Sequence, residues 1–408
     1  GYDVKTGPDG DIYIVGKTFS PDFFTTLDQT AALNASGGDG FVLRIDPSLP
    51  TGSNLVYATI FGGSSEDNAR SIDVLSDGSA YVTGFTGSSD FPTSSGVVQP
   101  VRQSSGAFIL KLLPDGNLSI GSFIGNKRSN HPNSIVIGKS SLESEPFIYV
   151  GGSARDGSGS DATDGSFQQA HQAGGFDGFV VKMPLDLSSY TYFSYLGGAG
   201  RDVIMDIDVQ DGFLFATGTT GSVDFPVTDV AFRQHHTESS CNGTLSTGSC
   251  AEAFVTRFKR DGSGLVYSTY LGEPGKEDYA RGIAVNSNKQ AFITGASATP
   301  GSNRSDIFVA KMEAGGENVL WKTVIPGIAR DHGEELVVDR FDRVYVTGTI
   351  SEDGHSTGFG ADTYHGGTSD MFFCRMNGNG ETEFFGYLGG SGEDRGFAIT
   401  ASDRKSVV

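Results

Sequence analysis

The chain has 408 residues, 59 of them Gly and 11% aromatic, and its 49 acids against 29 bases leave a formal charge of −20. That balance excludes nucleic acid as a partner, because phosphates demand Lys and Arg. It argues equally against an anionic membrane surface and favours solubility, a cation or a basic partner. No stretch approaches the ~20 consecutive apolar residues of a spanning helix, so no membrane insertion is expected of this segment. The chain begins at Gly1 with neither Met nor a signal-like segment, as expected of a mature form or an excerpt of a longer protein.

Read in order, the residues repeat one unit of four strands. A short apolar strand A occurs as YDV (2–4), SIDV (71–74), SIVI (134–137), IDV (207–209), IAV (283–285), LVV (336–338) and FAIT (397–400). Strand B follows as YIVG (13–16), YVTG (81–84), YVGG (149–152), FATG (215–218), FITG (292–295) and YVTG (345–348). Its aromatic and β-branched residues suit a half-buried strand, and the closing Gly is expected to permit a bend. Strand C reads DGFVLR (39–44), GAFILK (106–111), DGFVVK (177–182), EAFVTR (252–257), DIFVAK (306–311) and DMFFCR (370–375). Strand D alternates, as in LVYATIF (55–61), YTYFSYL (190–196) and LVYSTYL (265–271), which marks an outer strand with one solvated face.

Phe41, Phe108, Phe179, Phe254, Phe308 and Phe372 recur at intervals of 67, 71, 75, 54 and 64 residues. Four strands per interval, Gly-rich turns and no helical period predict an all-β fold, a single β-propeller domain over 1–408. The units run 1–69, 70–132, 133–204, 205–280, 281–334 and 335–395, with a partial seventh at 396–408. The partial unit favours a seven-bladed ring, with six blades as the alternative. The A–B turns are short and carry Asp-Gly or Asp-Arg, as at Asp9-Gly10, Asp77-Gly78 and Asp342-Arg343. The long B–C loops (17–38, 85–105, 153–176, 219–251, 296–305 and 349–369) differ in length and composition, and binding is expected there.

These motifs resemble the SBBP-type β-propeller repeat, whose pattern joins YVTG, DFPT, DAFVxK and YSTYLGG. The resemblance covers essentially the whole chain and is closest at 57–93 and 254–295. Asp-Phe-Pro is intact only at Asp90-Phe91-Pro92 and Asp224-Phe225-Pro226, and the Leu-Gly-Gly turn decays to IGN (124–126) and IPG (325–327). The resemblance implies an extracellular or cell-surface module with no assigned catalytic residues.

One acid recurs at a fixed offset before strand A, as Asp67, Asp202, Asp278, Asp331 and Asp394, with Asn130 in the remaining unit. Together with the acids that open strand C (Asp39, Asp177, Glu252, Asp306 and Asp370), these could ring one face and hold Ca²⁺ through carboxylate oxygens. Recurrence once per blade favours instead a brace that accepts N–H bonds within its own turn. No other cofactor is expected. Cys241 and Cys250 bracket a polar loop that closes readily into a disulfide, which implies an oxidising compartment; Cys374 lies in an apolar strand. Sequons at Asn34, Asn117, Asn242 and Asn303 are candidate glycosylation sites. The seven His are scattered without metal spacing, and no nucleophile elbow is present. The expectation is a non-enzymatic extracellular module that is structural, adhesive or protein-binding, meeting proteins or glycans through its B–C loops. The alternatives are a glycan- or calcium-binding propeller and a polysaccharide lyase or hydrolase with a site at the channel mouth.

Overall fold

A computed structural model of the chain describes residues 1–20, 22–26, 37–102, 106–125, 129–155, 160–172, 175–236, 250–351, 368–401 and 406–407. The fold is a β-propeller of six four-stranded antiparallel blades. Blade 1 is β1 (Asp3–Thr6), β2 (Ile12–Thr18), β3 (Asp39–Ile45) and β4 (Leu55–Phe61). Blade 2 is β5 (Asp67–Val74), β6 (Ala80–Thr86), β7 (Ala107–Leu112) and β8 (Leu118–Phe123). Blade 3 is β9 (Asn130–Gly138), β10 (Phe147–Arg155), β11 (Phe176–Pro184) and β12 (Tyr192–Leu196). Blade 4 is β13 (Asp202–Gln210), β14 (Phe213–Thr220), β15 (Glu252–Phe258) and β16 (Leu265–Tyr270). Blade 5 is β17 (Glu277–Val285), β18 (Ala291–Ala298), β19 (Ser305–Met312) and β20 (Val319–Ile325). Blade 6 is β21 (His332–Val338), β22 (Val344–Ile350), β23 (Asp370–Met376) and β24 (Thr382–Leu388).

Two compact units divide the chain: residues 1–171 with 178–195, and residues 172–177 with 196–408. Beyond blade 6, β25 (Thr400–Ala401) and β26 (Ser406–Val407) form a two-stranded pair. The Ile399 N–H donates to Glu335 Oε2 at 3.0 Å, so the chain enters β25 beside β21 as the next strand A would. The favoured count of seven blades is therefore corrected to six, with this pair in place of a seventh sheet.

Within the first unit, one apolar cluster joins blades 1 and 2 through Tyr13, Tyr57, Phe61, Val82 and Phe108. Another joins blades 2 and 3 through Tyr81, Ile109, Ile135, Phe179 and Phe193. In the second unit the clusters lie between blades 4 and 5 (Phe215, Tyr267, Ile293, Phe308) and between blades 5 and 6 (Phe292, Val309, Leu336, Phe372). Each fully buried Phe contributes roughly 1.5–3 kcal/mol, so a blade is stable only with its neighbour beside it.

The repeat markers have specific jobs inside a blade. The Thr before the closing Gly of strand B donates to the carbonyl of the strand-C Phe: Thr83 to Phe108 (2.7 Å), Thr217 to Phe254 (2.7 Å), Thr294 to Phe308 (3.0 Å) and Thr347 to Phe372 (2.9 Å). The cation ending strand C lies over the aromatic ring that opens strand B and is paired with it across the ladder. Arg44 sits 5.6 Å from Tyr13, Lys111 5.5 Å from Tyr81, Arg257 5.2 Å from Phe215 and Lys311 4.8 Å from Phe292. Such cation–π pairs are worth about 0.5–2 kcal/mol and hold these bases to structural work.

Strand A is longer than its apolar core and begins at or next to the recurring acid. A bulge interrupts it once per blade in blades 2 to 6, with Arg70, Asn133, Met205, Arg281 and Glu334 at the register shift. The closing Gly of strand B lies opposite this bulge, and its φ is not in the left-handed region in any blade. A β-carbon on Gly84, Gly218 or Gly295 would fall well inside 3.0 Å of the Asn68, Val203 or Tyr279 carbonyl oxygen. The expected bend is thus corrected to a close approach: Gly is there because the bulged strand A presses its backbone against it.

Candidate functional site

The recurring acids are built into their own turns. The Gly63 N–H and the Ser88 hydroxyl both donate to Asp67 Oδ2 at 2.8 Å. In blade 4, Gly198 N–H (2.8 Å) and Ser222 hydroxyl (2.7 Å) donate to Asp202 Oδ2 in the same way. Asp278 accepts from Glu273 N–H (2.6 Å), Asp331 from Ala329 N–H (3.3 Å) and Asp394 from Gly390 N–H (2.8 Å). In blade 3, Asn130 keeps the place with its Nδ2 donating to the Ile124 carbonyl at 3.3 Å.

The glycines of the turn make room for these groups. A β-carbon on Gly62 would lie 2.5 Å from Asp39 Oδ1 and 2.7 Å from Asp67 Oδ2. The Asp of Asp-Phe-Pro clamps the turn from the other side, since Ser64 N–H donates to Asp90 (2.9 Å) and Ala199 N–H to Asp224 (2.8 Å). Its Phe plugs the blade, with Phe91 4.6 Å from Phe108 and Phe225 4.6 Å from Phe254. Among the described residues, no three His, Cys, Asp or Glu side chains come close enough together to hold a metal ion.

Burial pushes the carboxyls of Asp67, Asp202 and Asp278 above the usual carboxylate range, against the hydrogen bonds that lower them. For such a group the folded chain binds the proton more readily, so the charged form opposes folding at neutral pH. This penalty fades as pH falls through the raised value toward 3.8. Asp202→Asn is therefore expected to raise the melting temperature at pH 7.5, with the advantage shrinking as pH is lowered. Paired thermal melts across that range check it, and an Asn variant less stable than wild type at pH 7.5 would show that the carboxylate is needed as such.

The remaining candidates fall apart in space or outside view. Cys250 is buried and disulfide-bonded, Cys374 is a buried free thiol pushed up to about 12 by desolvation, and Cys241 lies outside the described residues. Asn117 is exposed in the β7–β8 turn and bonds Asp115 (2.9 Å). Asn303 is exposed and accepts from Arg330 (3.4 Å), whereas Asn34 and Asn242 lie outside the described residues.

One departure from the repeat is basic and lies in the second unit. The B–C loops meet the turns that precede strand A: Ser305 N–H donates to the Ala329 carbonyl (2.7 Å) and Asp394 N–H to the Ser369 carbonyl (2.8 Å). Between them runs a groove of about 800 Å³ whose charged lining is Arg281, Arg304, Arg330 and Arg395 against Glu277 and Glu393. His332 and a row of Ser and Ala residues complete its walls. The bulge of β17 aims Arg281 outward to an ion pair with Glu334, the bulge residue of β21, at 2.9 Å. Glu334 is held below its usual range by His332 and Arg281 despite burial. Arg395 is bonded to Glu393. Arg304 and Arg330 are exposed and have no ion pair among the described residues.

A smaller pocket of about 200 Å³ adjoins this groove and shares Tyr279 and Arg281 with it. Val203 and Met205 of β13, with Ala251 and Ala280, make its apolar floor, and Arg201 closes it. Arg201 stacks 5.0 Å from the Phe176 ring and has no ion pair among the described residues. None of these arginines was singled out from the residue pattern. The signal was available in the columns next to the recurring acid: Glu66, Ser129, Arg201, Glu277, Arg330 and Glu393 one place before it, and Arg70, Asn133, Met205, Arg281 and Glu334 three places after.

No family model matches the chain, and no curated protein matches its sequence. Among solved structures, Sqt1 from Chaetomium thermophilum aligns with TM-score 0.46 and 11% identity over 98% of this chain and 74% of that one. The Pyrococcus horikoshii acylaminoacyl peptidase aligns with TM-score 0.46 and 11% identity over 98% of this chain and 47% of that one. A Hadza microbial sialidase aligns with TM-score 0.41 and 9% identity over 91% of this chain and 70% of that one.

Proposed function

We propose that this chain is a non-enzymatic protein-interaction module, built from SBBP-type repeats and working outside the cell or at its surface. The observation that carries the reading is the arginine-lined groove of the second unit. In a chain of net charge −20 it is a place where residues depart from the repeat and present Arg304 and Arg330, which have no ion pair among the described residues, beside exposed loop backbone. The recurring acids Asp67, Asp202 and Asp278 accept N–H groups of their own turns. A disulfide at Cys250 supports an oxidising compartment.

The purified chain is expected to leave polysaccharide and ester substrates unchanged while retaining surface or secreted proteins of its source organism. The variant with Arg304→Glu and Arg330→Glu, both exposed, should lose the retained set and keep the wild-type melting temperature. Turnover of any of those substrates would overturn the reading. A melting temperature that rises with Ca²⁺ and falls with chelator would instead put the recurring acids to use as ligands.

A further inference from the structure

We infer that the groove and its adjoining pocket recognise an acidic peptide segment that inserts one apolar side chain between blades 4 and 5; this rests on the interaction-module reading above. Charge complementarity selects the segment. Four arginines against two glutamates line the groove, and Arg201 adds another cation at the pocket rim. Arg201, Arg304 and Arg330 have no carboxylate partner among the described residues, although acids outnumber bases by 49 to 29. A guanidinium with no carboxylate partner among the described residues offers its fork to an external carboxylate. The Arg201 and Arg281 Nε atoms are buried and find no acceptor among the described residues, so a carboxylate arriving there would satisfy donors already removed from water.

The pocket selects the anchor. Its apolar floor of Val203, Met205, Ala251 and Ala280 and its volume of about 200 Å³ suit a single Leu-, Met- or Phe-sized group. Cavities of about 150 Å³ already accommodate a benzene ring. Met205 supplies an adaptable surface because its unbranched thioether repacks around differently shaped groups. It is a bulge residue, so its side chain is aimed by the same device that aims Arg281. Two arginines and a set of apolar side chains line the same pocket, a combination that suits an apolar anchor flanked by carboxylates.

The test uses the full chain and fluorescein-labelled synthetic peptides: a short polyglutamate with a central leucine, the same peptide with a central alanine, and a polyglutamine with a central leucine. The acidic leucine peptide is expected to bind about tenfold tighter than the alanine one, and the polyglutamine peptide to bind negligibly. Affinity for the acidic peptide should fall steeply with salt. Arg201→Gln should weaken the acidic leucine peptide at least tenfold, and the exposed pair R304Q with R330Q should do the same without lowering the melting temperature. Equal binding of the leucine and alanine peptides, or wild-type affinity in both variants, would overturn the proposal. So would binding of polygalacturonate that the arginine variants lose while no peptide binds, since the groove would then serve an acidic glycan. If every acidic peptide fails while the chain still retains surface proteins through Arg304 and Arg330, the ligand chemistry is wrong and the interaction-module reading stands; turnover of substrate would remove both.

Discussion

Gly218→Ala is expected to unfold blade 4 locally or cost about 3 kcal/mol or more of stability. A single methyl group at this place would fall well inside 3.0 Å of the Val203 carbonyl oxygen, which belongs to the backbone of β13 and cannot rotate away. Relief requires strand A to move by about an ångström. Strand A cannot do so cheaply, because its bulge at Met205 and its buried Ile204 and Ile207 are locked against β14 and the core. Overpacking against a rotatable side chain costs about 1–3 kcal/mol, and a clash with fixed backbone belongs at or beyond that limit. Denaturant unfolding of Gly218→Ala beside wild type measures it. Gly10→Ala is the contrasting control, since its cost arises from a positive φ of 88° with no neighbour within 4 Å of the added carbon. A Gly218→Ala variant as stable as wild type would mean that the bulge yields and is not what holds the strand in place.

The second large effect concerns strand-to-strand latches made by carboxylates of strand A. In the second unit, the Ile283 N–H donates to Asp206 Oδ2 at 2.8 Å and the Val285 N–H to Asp208 Oδ2 at 2.6 Å. Both donors lie on β17, the innermost strand of blade 5, whose free edge would otherwise carry unpaired N–H groups. The same device recurs in the first unit, where Ile72 N–H donates to Asp3 (2.8 Å) and Ile137 N–H to Asp73 (2.6 Å). Hydrogen bonds to charged groups are worth about 1.5–3 kcal/mol each, and removing the acceptor leaves a half-buried donor stranded. Replacing Asp206 and Asp208 together with Ala is therefore expected to speed hydrogen exchange at the Ile283 and Val285 amides at least tenfold and to lower global stability by about 3 kcal/mol. Unchanged protection at those two amides would show that the carboxylates are spectators. Charge, and not mere polarity, is at stake, so Asn at both positions should recover only part of the loss.

Much of the fold was legible in the residues because it repeats. The strand-C Phe, the Thr of strand B and the cation that ends strand C recur at constant offsets. Each recurrence corresponds to one contact repeated in successive blades, such as Thr217 to Phe254 and Thr294 to Phe308. A contact made within one unit leaves a period in the chain, and a period can be read without coordinates. The recurring acid was legible for the same reason.

Other features come from contacts, within a blade or between blades, that leave no mark in local propensity. The closing Gly carries no left-handed torsion, and its necessity arises from a carbonyl on the adjacent strand that local propensity does not reveal. The acids of strand A look like solvated residues in a short apolar run, yet their acceptor oxygens serve the next blade, 77 residues on for Asp206 and Asp208. The bases divide as well: Arg257 and Lys311 are held over rings inside their blades, whereas Arg304 and Arg330 line the groove from two segments and Arg201 lines the adjoining pocket from a third. Charge on a chain is a sum, and a binding surface is an arrangement. A four-stranded repeating unit follows from the residues alone, because each unit must satisfy the same backbone and bury the same rings. The packing of one unit on the next decided which few cations remain unspent, and so where an acidic ligand can be held.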